Sequence, residues 1–161
     1  MAGISIHVDL AEFDREIVSR LQALAELDTA EALDVLGQTG VSQTQQRISV
    51  EKTAPDGTAW KPNFSGTSIL FLEGELNRSI VHEVESETEV SWGSNRVYAA
   101  IHQLGGKIVP KNKRALQFKR GGKKITVRSV TIPARPYLGF SDANKTELVA
   151  ILNDWMAEKL A

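Results

Sequence analysis

WGSNRVYAAIHQLGG runs from Trp92 to Gly106, and TIPARPYLGF runs from Thr131 to Phe140. These two segments decide the fold because they bracket an arm unlike everything around it. From Arg96 to Arg135 the basic residues are Arg96, Lys107, Lys111, Lys113, Arg114, Lys119, Arg120, Lys123, Lys124, Arg128 and Arg135, eleven of the chain's 19 Lys and Arg. No Asp or Glu falls between Glu89 and Asp142. A chain of net charge −1 has therefore gathered its positive charge in one place. Such a segment calls for a negative counterpart, either a partner subunit or nucleic acid.

Asn95 caps a predicted helix from Val97 to Leu104, and Gly105 and Gly106 end it as C-terminal glycines. Lys107 to Pro110 starts a strand. Leu116–Phe118 and Ile125–Val127 alternate as two strands of a hairpin whose tip is Arg120-Gly121-Gly122-Lys123, where glycine tolerates the backbone of a tight turn. Val130 and Ile132 extend the returning strand until Pro133 and Pro136 stop the ladder. The expectation is a long basic β-hairpin arm over about 107–130.

Upstream, Ser79–Glu85 and Glu87–Trp92 read as a hairpin turning at Glu85-Ser86-Glu87, with Glu83, Glu85, Glu87 and Glu89 as a negative edge. Glu51 to Ser68 is loop, turning at Pro55-Asp56-Gly57 and pinned to the core by Trp60 and Phe64. Ile69 to Leu76 reads as a short helix broken near Gly74. A helix capped by Asp28 or Thr29 runs to about Val50. Gly37 and Gly40 inside it each cost about 1 kcal/mol relative to Ala, so the helix bends or packs closely there. Ile4, Ile6 and Val8 form a short strand, and Leu10, Phe13, Ile17, Leu21 and Leu24 lie on one face of a first helix. Downstream, Asp142 or Asn144 caps a last helix that buries Leu148, Ile151, Leu152, Trp155 and Leu160. The fold class is α+β in a single domain over residues 1–161: an antiparallel sheet with a long basic hairpin arm, packed by two N-terminal helices and one C-terminal helix.

Composition narrows the function. Hydrophobic content of 42% and charged content of 24% are ordinary for a globular chain. No run of about eighteen apolar residues is present, which argues against a membrane span, and MAGISIHVDL lacks the pattern of a secretory signal. The chain has no cysteine, which rules out disulfides, thiol catalysis and Cys-based zinc sites. The first 34 residues carry eight acids against Arg15 and Arg20. Two readings of that asymmetry stay open: head-to-tail contact between copies, or solvated helix faces.

No catalytic machinery is legible. His7, His82 and His102 have no metal-ligand spacing. There is no nucleophile elbow, P-loop or plausible carboxylate pair. His102 is a candidate general base, set against a histidine that bonds a backbone carbonyl and holds the glycine turn. No cofactor or metal is expected. Arg135 is expected to pair with Glu73 or Glu75, and Tyr137 and Leu138 to pack on Trp92 or Tyr98. Lys111, Lys113, Arg114, Lys119, Arg120, Lys123, Lys124 and Arg128 are the candidate contacts to a neighbouring subunit or DNA. With Phe118 as its one aromatic, the arm makes a poor base-stacking platform.

Four motifs in order carry a resemblance: PDGTAWKP (Pro55 to Pro62), LEGELNRSI (Leu72 to Ile80), WGSNRVYAAIHQLGG and IPARPYLGFSD (Ile132 to Asp142). From about Pro55 to the C-terminus the chain resembles the phage virion morphogenesis, or tail completion, family of Mu-like tailed phages and prophages. Glu73 stands where that family's short helix usually carries Thr. Trp60, Tyr98, His102, Gln103, Gly105, Gly106, Pro133, Arg135 and Pro136 are its structural motif here. The resemblance implies a non-enzymatic subunit of a ring that completes the tail or joins it to the head. The implied location is the virion tail or neck, after assembly in the cytoplasm of the bacterial host. The implied partners are further copies of the chain, the tail tube or terminator, and neck or connector proteins, with transient contact to genomic DNA and none to a membrane. The alternative is a nucleic-acid-binding module using the 107–128 arm.

Overall fold

The computed structural model describes residues 28–63, 66–120 and 122–159. The predicted first strand and helix, Phe64 and Leu160 lie outside the described residues.

Helix α1, Ala30–Gln46, is the spine. The Asp28 carboxylate accepts the Ala30 N–H at 3.0 Å, as a residue at a helix start should. Gly37 and Gly40 leave the helix unbroken and let a hairpin lie directly on it. A Cβ at Gly37 would stand 2.4 Å from the His82 ring, and one at Gly40 2.5 Å from Trp92. The hairpin is β1, Ile80–Ser86, paired antiparallel with β2, Glu89–Ser94. Its turn falls at Glu87-Thr88, later than expected, because Ser86 and Glu89 close the ladder across a bulge. Thr29 Oγ1 donates to the Glu87 carbonyl at 2.5 Å, tying that turn to the start of α1.

Past Gln46 the chain widens into a π-helical turn, Arg47–Glu51, ended by Lys52 at φ 58°. Lys52 Nζ donates to the carbonyls of Ile48 and Ile69 and lies 5.2 Å over the Phe71 ring. The short helix predicted over Ile69–Leu76 is corrected. That stretch is irregular, with Leu70 at φ 54° and Gly74 at φ 71°, and helix α2 occupies Glu75–Arg78. A left-handed residue cannot continue a right-handed helix, so winding starts only beyond Gly74.

Helix α3, Ala99–Leu104, follows. Strand β3, Gly106–Ile108, pairs with β6, Val130–Ile132, and between them β4, Leu116–Arg120, pairs with β5, Lys123–Val127. The fold is thus α+β. Among the described residues its antiparallel pairing is divided among three two-stranded ladders, one on α1 and two in the 106–132 segment.

Helix α4, Asp142–Lys159, is capped by Ser141 rather than by Asp142 or Asn144. Ser141 Oγ accepts the Asn144 N–H at 3.1 Å, and Asn144 Oδ1 accepts the Ser141 N–H at 3.2 Å, a reciprocal capping box. Helix α4 runs along α1, joined by Gln43–Glu147 at 2.7 Å and Lys159–Glu31 at 2.9 Å. Leu148, Ile151 and Trp155 are half-buried there, and Leu152 remains exposed. The core is Ile48, Ala54, Trp60, Leu76, Ile80, Ala99 and Tyr137, with Val41, Trp92, Tyr98 and Leu138 packed around it. Full burial of a side chain such as Ile48 contributes about 1.5–3 kcal/mol.

Candidate functional site

The two quoted segments meet at the side chain of Gln103, which stands in for a missing β-strand. Its Oε1 accepts the N–H groups of Tyr137 and Leu138 at 2.9 and 3.0 Å, and its Nε2 donates to the Leu138 carbonyl at 3.2 Å. Pro136 and its neighbours cannot form a regular ladder, because proline has no N–H, so a side chain supplies the bonds instead. Beside it, Gly105 sits at φ 71°, and a Cβ there would lie 2.6 Å from the Ala134 nitrogen. Glycine is required on both counts. Gly106, also at positive φ, opens β3.

Trp60 and the arginines complete the junction. Trp60 Nε1 donates to the Pro136 carbonyl at 3.0 Å. Arg135 is corrected from the expected carboxylate partner. It is buried, and its Nε and Nη2 donate to the carbonyls of Lys61 and Pro62 at 2.9 and 3.2 Å. Its own N–H donates to the His102 carbonyl at 2.8 Å. Tyr137 Oη donates to the Ala99 carbonyl at 3.1 Å, and burial, with Tyr98 adding to it, pushes that hydroxyl up to about 12. Pro133 is half-buried between β6 and this junction.

Arg47 is the residue that sequence reasoning missed. Only 2% exposed, it donates through Nη1 to the carbonyls of Tyr137 and Gly139, both at 2.9 Å, and through Nη2 to Asn144 Oδ1. Glu51 stands 3.9 Å from its Nε. Burial holds its pKa below the usual arginine value while Glu51 opposes that shift. One guanidinium thus ties α1 to the 137–139 segment and the start of α4. In sequence, a lone Arg at a helix C-terminus reads as a dipole partner.

His102 is half-buried, its ring edge-on to Tyr98 at 6.0 Å. Its Nδ1 is buried without a hydrogen-bond partner, so the expected imidazole-to-carbonyl tether through that nitrogen is not what holds the turn. The main-chain bond to Arg135 does so. Burial foremost, and then the Arg135 charge, pushes the imidazole pKa down. The ring lines a groove of about 340 Å³ together with Leu70, Phe71, Leu72, Glu73, Glu75 and Tyr98. Tyr98 Oη donates to Glu75 at 3.4 Å. No group of three or more potential metal ligands occurs among the described residues.

The basic candidates lie away from this junction. Lys111, Lys113, Arg114, Lys119, Lys123, Lys124 and Arg128 are all exposed, and none makes an ion pair among the described residues. In the β4–β5 ladder Lys119 pairs with Lys124, and Arg120 pairs with Lys123. Like charges directly opposite one another are destabilising. Lys119, Lys123 and Lys124 therefore hold their charge near the tip with no ion-pair partner among the described residues, a state that an anionic partner would relieve.

The sequence model of the phage virion morphogenesis family matches residues 9–157. The chain is 26% identical over 158 residues to a protein of Escherichia phage Mu named "Putative capsid assembly protein G", covering 90% of this chain and 91% of that one. No solved structure matches the chain.

Proposed function

Since this chain belongs to the phage virion morphogenesis family, we propose that it is a structural tail-completion subunit. It assembles as a ring at the head–tail junction or the tail end and works by docking to its neighbours, not by catalysis. The observation that carries this reading is the β4–β5 hairpin, with its row of exposed cations that make no ion pair among the described residues. A charged strand pair of this kind is stabilised by an acidic surface on another protein. Exposed acids on the same chain supply such charge, Glu83, Glu85 and Glu87 on the β1–β2 edge and Glu73 and Glu75 beside the groove. The Mu relative's name speaks of capsid assembly, and a subunit at the joint of head and tail meets both. No described helix is long and apolar enough to cross a membrane.

A second reading, contact with the genome, draws on the same unpaired lysines. It predicts binding to DNA that falls steeply with salt and is lost when Lys119, Lys123 and Lys124 become alanine. The docking reading predicts that the protein is found in purified virions or tails and forms defined oligomers by native mass spectrometry. Absence from purified particles, together with a monomer under every condition, would overturn it.

A further inference from the structure

We propose that the β4–β5 hairpin of one copy docks into the groove beside His102 on the next copy, with Phe118 as its anchor. The proposal rests on the ring reading above and gives it a molecular contact.

The hairpin has two faces. Leu116 pairs with Val127 and Phe118 with Ile125, while Gln117 pairs with Thr126 and Lys119 with Lys124. Because side chains alternate across a strand, the first two pairs form an apolar face and the others a polar one. The apolar face ends in a cation, Lys123, at the tip. Phe118 is 41% exposed on that face. Among the described residues, β4 and β5 pair only with each other, and a lone two-stranded ladder is marginal in water. A partner seated on that face would stabilise it.

The groove has the complementary chemistry. Leu70, Phe71 and Tyr98 give it an apolar lining, and Leu72 stands 77% exposed at its side. Glu73 and Glu75 line it and make no ion pair among the described residues. Its volume of about 340 Å³ exceeds the roughly 150 Å³ that suffices for a benzene ring. Seating Phe118 there brings Lys123 toward Glu73 and Glu75. The irregular backbone at Leu70 and Gly74, which displaced the predicted helix, is what builds this groove. Hairpin and groove are different surfaces, so their contact is head-to-tail, and such contacts generate rings when the rotation closes.

The cysteine-free chain permits a direct test. Full-length Ile125→Cys protein, which keeps Phe118 and carries its thiol on the same face, is mixed with full-length Leu72→Cys protein under mild oxidation at low salt. Neither site belongs to the core cluster, so both variants are expected to fold. The expected result is a covalent heterodimer in about tenfold greater yield than from Ile125→Cys mixed with Val149→Cys, an exposed site on α4. Adding Glu73→Lys and Glu75→Lys to the groove chain should lower that yield, and adding Lys123→Glu to the hairpin chain should restore it. A yield no better than the control pair, with oligomers still present by native mass spectrometry, would overturn the docking and leave the ring. No cross-link and no oligomer under any condition would overturn both. DNA binding by the hairpin without the cross-link would assign the hairpin to nucleic acid and overturn the docking.

Discussion

Replacing Gln103 with Leu tests whether one side chain holds the 92–106 and 131–140 segments together. Gln103 and Leu are close in size, so the core keeps its volume while three hydrogen bonds disappear, at 2.9, 3.0 and 3.2 Å. Each such bond contributes about 0.5–1.5 kcal/mol net, and a buried group left without a partner costs about 1–3 kcal/mol. The partners here are partly buried, so water recovers some of the loss. The expected destabilisation is about 2–4 kcal/mol, which is large for a single substitution. With a urea dependence of about 2 kcal/mol per molar, the middle of the usual range, the unfolding midpoint should drop by about 1–2 M at unchanged slope. Circular dichroism and tryptophan fluorescence should report the same transition, since Trp60 is bonded to Pro136 in the same junction. A loss of less than about 0.5 kcal/mol, within the range of ordinary surface substitutions, would refute the reasoning.

Other expectations concern the helix seam, the buried arginine and pH. Gly40→Ala places a methyl 2.5 Å from Trp92. It should destabilise by about 1–3 kcal/mol through overpacking and shift the Trp92 fluorescence, whereas Gly57→Ala, with open space around it, should leave that emission unchanged. Arg47→Met removes the donor to three oxygens and should cost several kcal/mol in chemical denaturation, at about 1–3 kcal/mol for each buried acceptor left unpaired. A near-neutral result would show that the guanidinium is not the tie between α1 and α4. His102 has a folded pKa below its ordinary 6.5. The unfolded chain therefore binds the extra proton first, and stability falls as pH drops through 6.5 toward the lowered value, then levels off below it. His102→Gln should flatten that part of the profile. A ring titrating above 6.5 by NMR would contradict it.

The parts of this fold legible in sequence are those set by local chemistry. Strand alternation located β1 with β2 and β4 with β5, and the double glycine marked the end of α3. The helix glycines at 37 and 40 left bending and close packing open, and the structure resolves that in favour of packing against His82 and Trp92. The misses share a cause: they were set by groups distant in sequence or by unusual backbone. Leu70 adopts a left-handed conformation that its apolar neighbourhood conceals. Arg47 finds its acceptors 90 and more residues away, a distance that no periodicity can report. The groove beside His102 depends on that irregular backbone, so its residues read only as a broken helix. The basic tip was plain from composition, whereas the cross-strand pairing of its lysines required the register.

The central claim is that this subunit completes particles by docking, and electron microscopy of particles made without it tests that claim most directly. The encoding phage or prophage should yield unjoined heads and tails, or tails with aberrant ends, and supplying the wild-type chain should restore joined, infectious particles. Normal, infectious particles formed in its absence would contradict the account.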